Sequence, residues 1–553
     1  ATKSGTNTLG IIDTTITGPG GITINEGTVI LARSSWTNGA LTANSGTTVW
    51  FSYNTGSYSY QMNMVVNGAT IRSDGAANSV ESPIALTGSN TIQVDNNSLT
   101  LTGVISGTGS ITKTAGGTLI LSGANTYTGQ TTVSQGVLRI THGSALGAGD
   151  GTAATGTTVS SGARLELTDG ITVANEALQL AGDGGGQGAL RNASGTNTWA
   201  GPISLTAGSR IDIVGGSTLT ISGNVSLGSN SLVVRGGGNA TISGQLSGSG
   251  NLTLTDGGVL TLGNANNINT FSGKIMASYG VISVADVAAL GSHSQLRLGQ
   301  GTYSVDTGTL RYTGTTNATI DKEIRLFSDA TYGKARLEVT NTAATLTFTG
   351  NFQYESGATT GGQWILAGAG SGVIYGNITT TDASLSKVDS GTWTLAGNNS
   401  YKGTTTVSAG VLRISSPTAL GTTDGGTTVS SGARLELAGG ITVTGEALSI
   451  AGDGGNFFGA LQSTSGTNTW AGPITLAAND TRIGANGAGQ VLRVTGAIGD
   501  GGSGYNLAVR NEVGGETILS GQNTYGGDTR VVVGVLKIDG GNDRLPTGSP
   551  LQI

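Results

Sequence analysis

The chain contains no cysteine. Disulfides therefore contribute nothing to its stability, and the usual thiolate-bearing zinc and iron–sulfur ligand sets are excluded. Histidine is nearly as scarce, with only His142 and His293 in 553 residues. Any Ser-His-Asp arrangement would have to pass through one of these two. His142 stands in ITHGSALG, and the matching stretch of a related segment reads ISSPTALG with Ser at that place, so it reads as a turn residue rather than a general base. Charged residues are 10% of the chain, against about 25% in ordinary domains. The net charge is −6 and basic residues occur singly, which argues against a nucleic-acid groove of clustered Lys and Arg. No apolar run approaches the ~18 residues of a transmembrane helix, and no signal peptide is legible at Ala1. Proline is limited to 7 positions and aromatics to 5%.

What is present is glycine, 98 residues of it, with Thr and Ser interleaved among single Val, Ile and Leu. Strict alternation is widespread, as in Thr118-Leu119-Ile120-Leu121, Val137-Leu138-Arg139-Ile140 and Arg164-Leu165-Glu166-Leu167. Such runs end in Gly, Asn or Ser, the grammar of short strands joined by tight turns. No sustained i, i+3, i+4 stripe predicts a substantial helix.

The alternation is organised into a repeat. KTAGGTLILSGANTYTGQTTVSQGVLRI (Lys113–Ile140) returns as KVDSGTWTLAGNNSYKGTTTVSAGVLRI (Lys387–Ile414) and as NEVGGETILSGQNTYGGDTRVVVGVLKI (Asn511–Ile538), with a looser copy over Leu254–Val284. TTVSSGARLEL and SGTNTWAGPI each occur twice between the copies, and GITINEGTVIL (Gly21–Leu31) echoes the second half of the unit. One element, Asn, a small hydroxyl residue, an aromatic, any residue and Gly, recurs six times at uneven intervals. Uneven spacing disfavours propeller blades and suits a stack of coils, into which turns and loop residues can be inserted. The expected fold is all-β: a right-handed parallel β-helix forming one elongated rod of about 25 coils at ~4.8 Å each. Equivalent residues of successive coils would then lie above one another. Asn and Gly would supply left-handed corners and side-chain ladders. Tyr127, Trp199, Phe271, Tyr401, Trp470 and Tyr525 would be structural aromatics that fill the interior or cover a corner.

The wording K-x-x-x-G-T-L-x-L-S-G-x-N-T-Y-x-G-x-T-x-V-x-x-G-x-L-x-I over Lys113–Ile140 resembles the autotransporter-associated β-strand repeat of bacterial autotransporter passenger domains. The resemblance implies a β-helix displayed outside a bacterial cell and secreted through a C-terminal barrel, in a family of adhesins, aggregation factors and a few enzyme-bearing passengers. No C-terminal series of ~10-residue alternating strands for such a barrel is legible before Ile553. The expected location is extracellular or cell-surface, anchored at the outer membrane before any cleavage.

Catalytic and cofactor chemistry finds little support. The Gly-Asp-Ser-Gly signature of serine-protease passengers is absent, and Asp183 and Asp453 recur in AGDGG, which favours turns. GGSGYNLAV near Asp500 carries Asn506 where a calcium nonapeptide wants Asp. No catalytic residue, cofactor or metal ligand is assigned. Residues 1–100 form an aromatic-rich N-terminal section, a candidate cap, and 101–553 a repeat-bearing section with units near 113–140, 254–284, 387–414 and 511–538. Trp36, Trp50, Phe51, Tyr53, Tyr58 and Tyr60 offer either packing for the first coils or a partner-binding surface. The expected function is non-enzymatic: adhesion or self-association at the cell surface. Partners would be the chain itself, surface glycans or host or cell-surface receptors, with no nucleic acid and no membrane span. Alternatives are a head-to-tail polymerising filament or sheath and, less favoured, a carbohydrate-active β-helix enzyme.

Overall fold

The computed structural model describes residues 1–52, 56, 58–263, 269–299, 307–327, 333–355, 361–456, 458–512, 514–541, 544–546 and 548–553. Alternating Val, Leu, Ile and Thr form short strands of 2–11 residues, and no α-helix occurs among the described residues; one 3-10 turn spans Val287–Leu290. Each strand pairs in parallel with the equivalent strand of the next turn. Leu119 pairs with Leu138 nineteen residues on, while Lys334 pairs with Gln363 twenty-nine residues on. This is a parallel β-solenoid whose turns vary in length. Cα clustering divides the chain into two compact units, one of residues 1–273 with 288–292 and one of residues 274–287 with 293–553.

In the first unit, the turns between Thr157 and Ile221 feed three stacks of strands. Thr157–Val159 leads to Leu178–Gly182, Arg164–Leu167 to Leu190–Asn192, and Thr172–Val173 to Thr196–Trp199. Alternation sends every second side chain inward, so aliphatic residues stack on aliphatic residues. Leu99, Leu119, Leu138, Leu165, Leu190 and Ile211 follow one another in register, all fully buried. A slip of one residue would turn this file of side chains to solvent, which is what holds the register. The second unit repeats the pattern through Trp393, Leu412, Leu435, Leu461 and Ile483.

Turns are sharpened where the sequence places Gly before a strand. Gly136 has φ +68 and its counterpart Gly410 φ +65, a backbone region that β-carbons disfavour. Opposite them, Ala115 (φ 64) and Asp389 (φ 60) take the same left-handed form without being Gly. A buried lysine fixes each of these corners. Lys113 Nζ donates to the carbonyls of Thr114, Ala115 and Gln135 at 2.7, 2.8 and 3.1 Å. Lys387 Nζ does the same to Val388, Asp389 and Ala409. Burial pushes both ammonium groups down to about 8, and three carbonyls apiece satisfy all their donors. In the third repeat Asn511 stands at the Lys position and bonds the backbone of Ala485 and Val535 instead.

Candidate functional site

The Asn-aromatic-Gly segments divide into two local structures. In four of them the Asn amide clamps three successive turns. Asn125 Oδ1 accepts from Ile105 N at 2.8 Å in the preceding turn, while its Nδ2 donates to Ala145 O at 2.6 Å in the following one. Asn269, Asn399 and Asn523 make the same pair of bonds. Asn197 and Asn468 instead lie within strands, Thr196–Trp199 and Thr467–Trp470. They accept from Ile171 N and Ile441 N, and donate within their own turn to Ser194 O and Ser465 O.

None of these Asn or Gly residues adopts a positive φ, contrary to the corner role expected for them. The Gly is required for another reason. A β-carbon on Gly129, Gly201, Gly403 or Gly472 would collide with a backbone carbonyl of the turn beneath, that of Gly109, Glu176, Ala383 or Glu446. Close approach of turns, rather than handedness, excludes a side chain there.

All six aromatics, Tyr127, Trp199, Phe271, Tyr401, Trp470 and Tyr525, are buried. The tyrosine hydroxyls pair with Thr131, Thr405 and Thr529, four residues on in each case. Of the N-terminal aromatics, Trp36, Phe51 and Tyr60 are buried and present no ring to a partner. Phe51 and Tyr60 pack with centroids 4.6 Å apart. Trp50 is half-buried with the Arg72 guanidinium 4.0 Å over its ring. Tyr58 is half-buried, and Tyr53 lies outside the described residues. His142 Nδ1 accepts from Ser144 N, and Ser416 Oγ accepts from Thr418 N in the second copy, so the two perform one turn-capping task. Asp183 and Asp453 accept from Gly185 N and Gly455 N. Asp500 accepts from three backbone amides, of Gly502, Tyr505 and Gly526. Among the described residues no group of three or more His, Asp or Glu is arranged to hold a metal ion.

What the outer surface displays is columns. On one face of the first unit, Thr28, Thr48, Thr70, Thr91 and Thr112 stand in register on successive turns, beginning from Thr8. The file continues through Thr132, Thr158 and Gln179 to Ser204, Ser226 and Ser247. All are half-buried or exposed. At one strand spacing per turn the column is on the order of 50 Å long. A second stack carries Thr172, Thr198, Thr220, Thr241 and Thr261. The second unit has Ser386, Thr406, Thr428, Ser449 and Thr475.

The few charges also form a file. Arg139, Glu166, Arg191, Asp212 and Arg235 alternate in sign up the first unit. Glu166 is buried and meets Arg139 and Arg164 at 2.8 Å and Arg191 at 3.4 Å. Arg235 reaches Asp256 at 2.9 Å. In the second unit Glu436 meets Arg413 at 2.7 Å and Arg434 at 3.5 Å, with Gln462 in place of the third arginine. The charges are thus spent on one another, leaving the hydroxyl faces neutral. These columns and the buried Lys and Glu were not legible as sites in the sequence. Turn lengths vary, so equivalent residues do not recur at a fixed interval.

Such an arrangement defines a parallel β-solenoid whose outer faces repeat from turn to turn. Residues 111–140, 385–414 and 514–538 match the passenger-associated transport repeat. The chain is 31% identical over 294 residues to the adhesin BmaC autotransporter of Brucella suis biovar 1; the alignment covers 51% of this chain and 7% of that protein. No solved structure matches. Three copies of that repeat lie in a parallel solenoid, and in this the chain is similar to repeat-bearing autotransporter passengers. The chain spans less than a tenth of the relative it matches.

Proposed function

We propose that this chain is a non-enzymatic, extracellular solenoid that mediates adhesion or self-association at a bacterial cell surface. The observation that carries the reading is the uncharged column from Thr8 to Ser247, a hydroxyl at every turn but that of Gln179. A Thr or Ser hydroxyl has one donor and two acceptor sites, and apart from Thr158 and Ser247, which donate within the chain, those of the column can offer both at a fixed spacing. Many weak contacts acting in register give strong association without any single strong contact. The relative named an adhesin supports the same reading, as does the internal cancellation of charge. Partners are a second copy of the chain, surface glycans or surface receptors.

The test is to place carboxylates in the column at Thr91→Glu and Thr132→Glu together, both outward-facing. Sedimentation of the purified chain and clumping of cells displaying it should both fall, by roughly a hundredfold in association constant. Unchanged association in a correctly folded double variant would remove the column from the mechanism.

A head-to-tail filament is the second reading. Fibres in electron micrographs across a dilution series would favour it; separate particles at every concentration would not.

A further inference from the structure

In the upper part of the first unit's hydroxyl column the surface is no longer flat. Gln179, Ser204, Ser226 and Ser247 there floor a groove of about 290 Å³. They follow one another in register, so the groove runs along the stack for roughly 15 Å. Ala177 and Pro202 line it with carbon, and Asn224 adds an amide.

Gly151 and Ala153 flank the groove, in the loop between Val137–Ile140 and Thr157–Val159. That loop is an insertion: Thr131 pairs with Thr157 twenty-six residues on, while the equivalent Thr405 pairs with Thr427 after twenty-two. The longer loop is pinned. Asp150 accepts from Thr152 N at 2.8 Å, from Thr152 Oγ1 at 2.7 Å and from Thr155 Oγ1, and Gln130 Nε2 holds Ala153 O at 3.0 Å.

Several polar groups of the groove are available, although Ser247 Oγ donates to Val225 O. Gln179 Oε1 is taken by Thr158 Oγ1 and Asn224 Oδ1 by Gln245 N, which leaves both NH2 groups to donate. The hydroxyls of Ser204 and Ser226 are not engaged by the protein, and no charged side chain lines the groove. One side thus offers neutral donors and acceptors at a regular interval, the other CH surface. A pyranose ring has the complementary division, hydroxyls at its edge and CH groups on its faces. An extended β-1,4-linked chain advances by about one strand spacing per sugar, so its hydroxyls can meet successive turns in step.

We propose that this groove binds an extended, neutral β-1,4-linked oligosaccharide, about three or four sugars long. The proposal rests on the adhesion reading and gives it a ligand class and a site. The experiment is calorimetric titration of the full chain with cellohexaose and chitohexaose, with maltohexaose, whose α-1,4 chain coils, as the control. At least one β-1,4 hexaose should bind, with affinity rising up to about four sugars and then level. Ser226→Trp and, separately, Ser204→Trp should weaken it about tenfold or more. Asp150→Ala should weaken it by loosening the loop, and Thr347→Trp in the second unit should leave it unchanged. Circular dichroism confirms that each variant is folded.

Failure of both β-1,4 hexaoses to bind overturns the proposal, as does equal binding of maltohexaose or undiminished binding by both Trp variants. Self-association and cell clumping measured on the same samples separate the two readings. No sugar binding with clumping intact sinks the groove alone, and sugar binding with clumping unaffected by the Thr91 and Thr132 changes sinks the hydroxyl column alone.

Discussion

Asn399 is fully engaged by two backbone groups belonging to two other turns, Ile378 N and Ala419 O. Asn399→Ala orphans a buried donor and a buried acceptor, with an expected cost of about 2–4 kcal/mol. Asn399→Asp keeps the acceptor but loses the donor and brings a charge, so it should cost more at neutral pH than in acid. Hydrogen exchange of the Ile378 and Ala419 turns reads both outcomes. The glycines divide in a way that a second pair of variants exposes. Gly403 has ordinary backbone angles but no room, whereas Gly432 has φ +82 and open space around it. Gly403→Ala must push two turns apart and should cost about 3 kcal/mol or more. Gly432→Ala meets only the left-handed penalty of about 1–2 kcal/mol. Equal losses in urea unfolding would mean that crowding is not why the motif demands Gly.

At the level of elements, the networks that hold turns together are built twice from equivalent residues. Thr157 Oγ1 donates to buried Glu176 Oε1 at 2.7 Å, and Thr427 Oγ1 to buried Glu446 Oε1 at 2.8 Å. Among the described residues no cation pairs with either carboxyl, and burial raises both from 4.5 to about 7. Asp150, held low at about 2 by its threonine hydrogen bonds, stays ionised and pushes Glu176 the same way. Between these values the folded chain keeps a proton that the unfolded chain has released. The stability from each glutamate is therefore complete below pH ~4.5 and is lost as pH rises through 7, by about 3 kcal/mol per site. Glu446→Gln preserves the acceptor for Thr427 and should flatten this dependence for the second unit; an unchanged pH profile of unfolding would refute the assignment. The two charged junctions differ in a second way. Glu166→Gln leaves three guanidinium groups facing one another, while Glu436→Gln leaves two. The first should be the costlier, by about 1 kcal/mol.

The alternating runs and the repeat wording made strands and coils legible in the sequence, because period-two patterning is local. What lies across turns was not legible. The Lys113 ammonium ties the corner beside it to Gln135, 22 positions away, and the pairing of Arg139 with Glu166 spans 27 residues against 23 for Arg413 and Glu436. A reader of one dimension sees such residues as scattered. Trp36 and Tyr60, conspicuous by their clustering, turned inward, while plain Thr residues formed the long outer file.

For the molecule as a whole, stability is a sum over neighbouring turns rather than a property of one core. A lesion such as Asn399→Ala should lower exchange protection in the second unit and leave the first at its original value. Uniform loss across both units would show that they unfold as one. With no cysteine, added reductant should not shift the unfolding midpoint. The Asn clamps add a direction to this assembly. Their oxygens look back to the turn already passed in the sequence, and their nitrogens look ahead to the one still to come. A chain coiling up from its N-terminus therefore ends, at each clamp, on an unspent N–H aimed where the next carbonyl must arrive. One coiling from its C-terminus ends on an unspent oxygen. The advancing edge thus carries a different chemical bait in each direction, and each unit's solenoid has a grain, like timber, that a symmetric stack of sheets would lack.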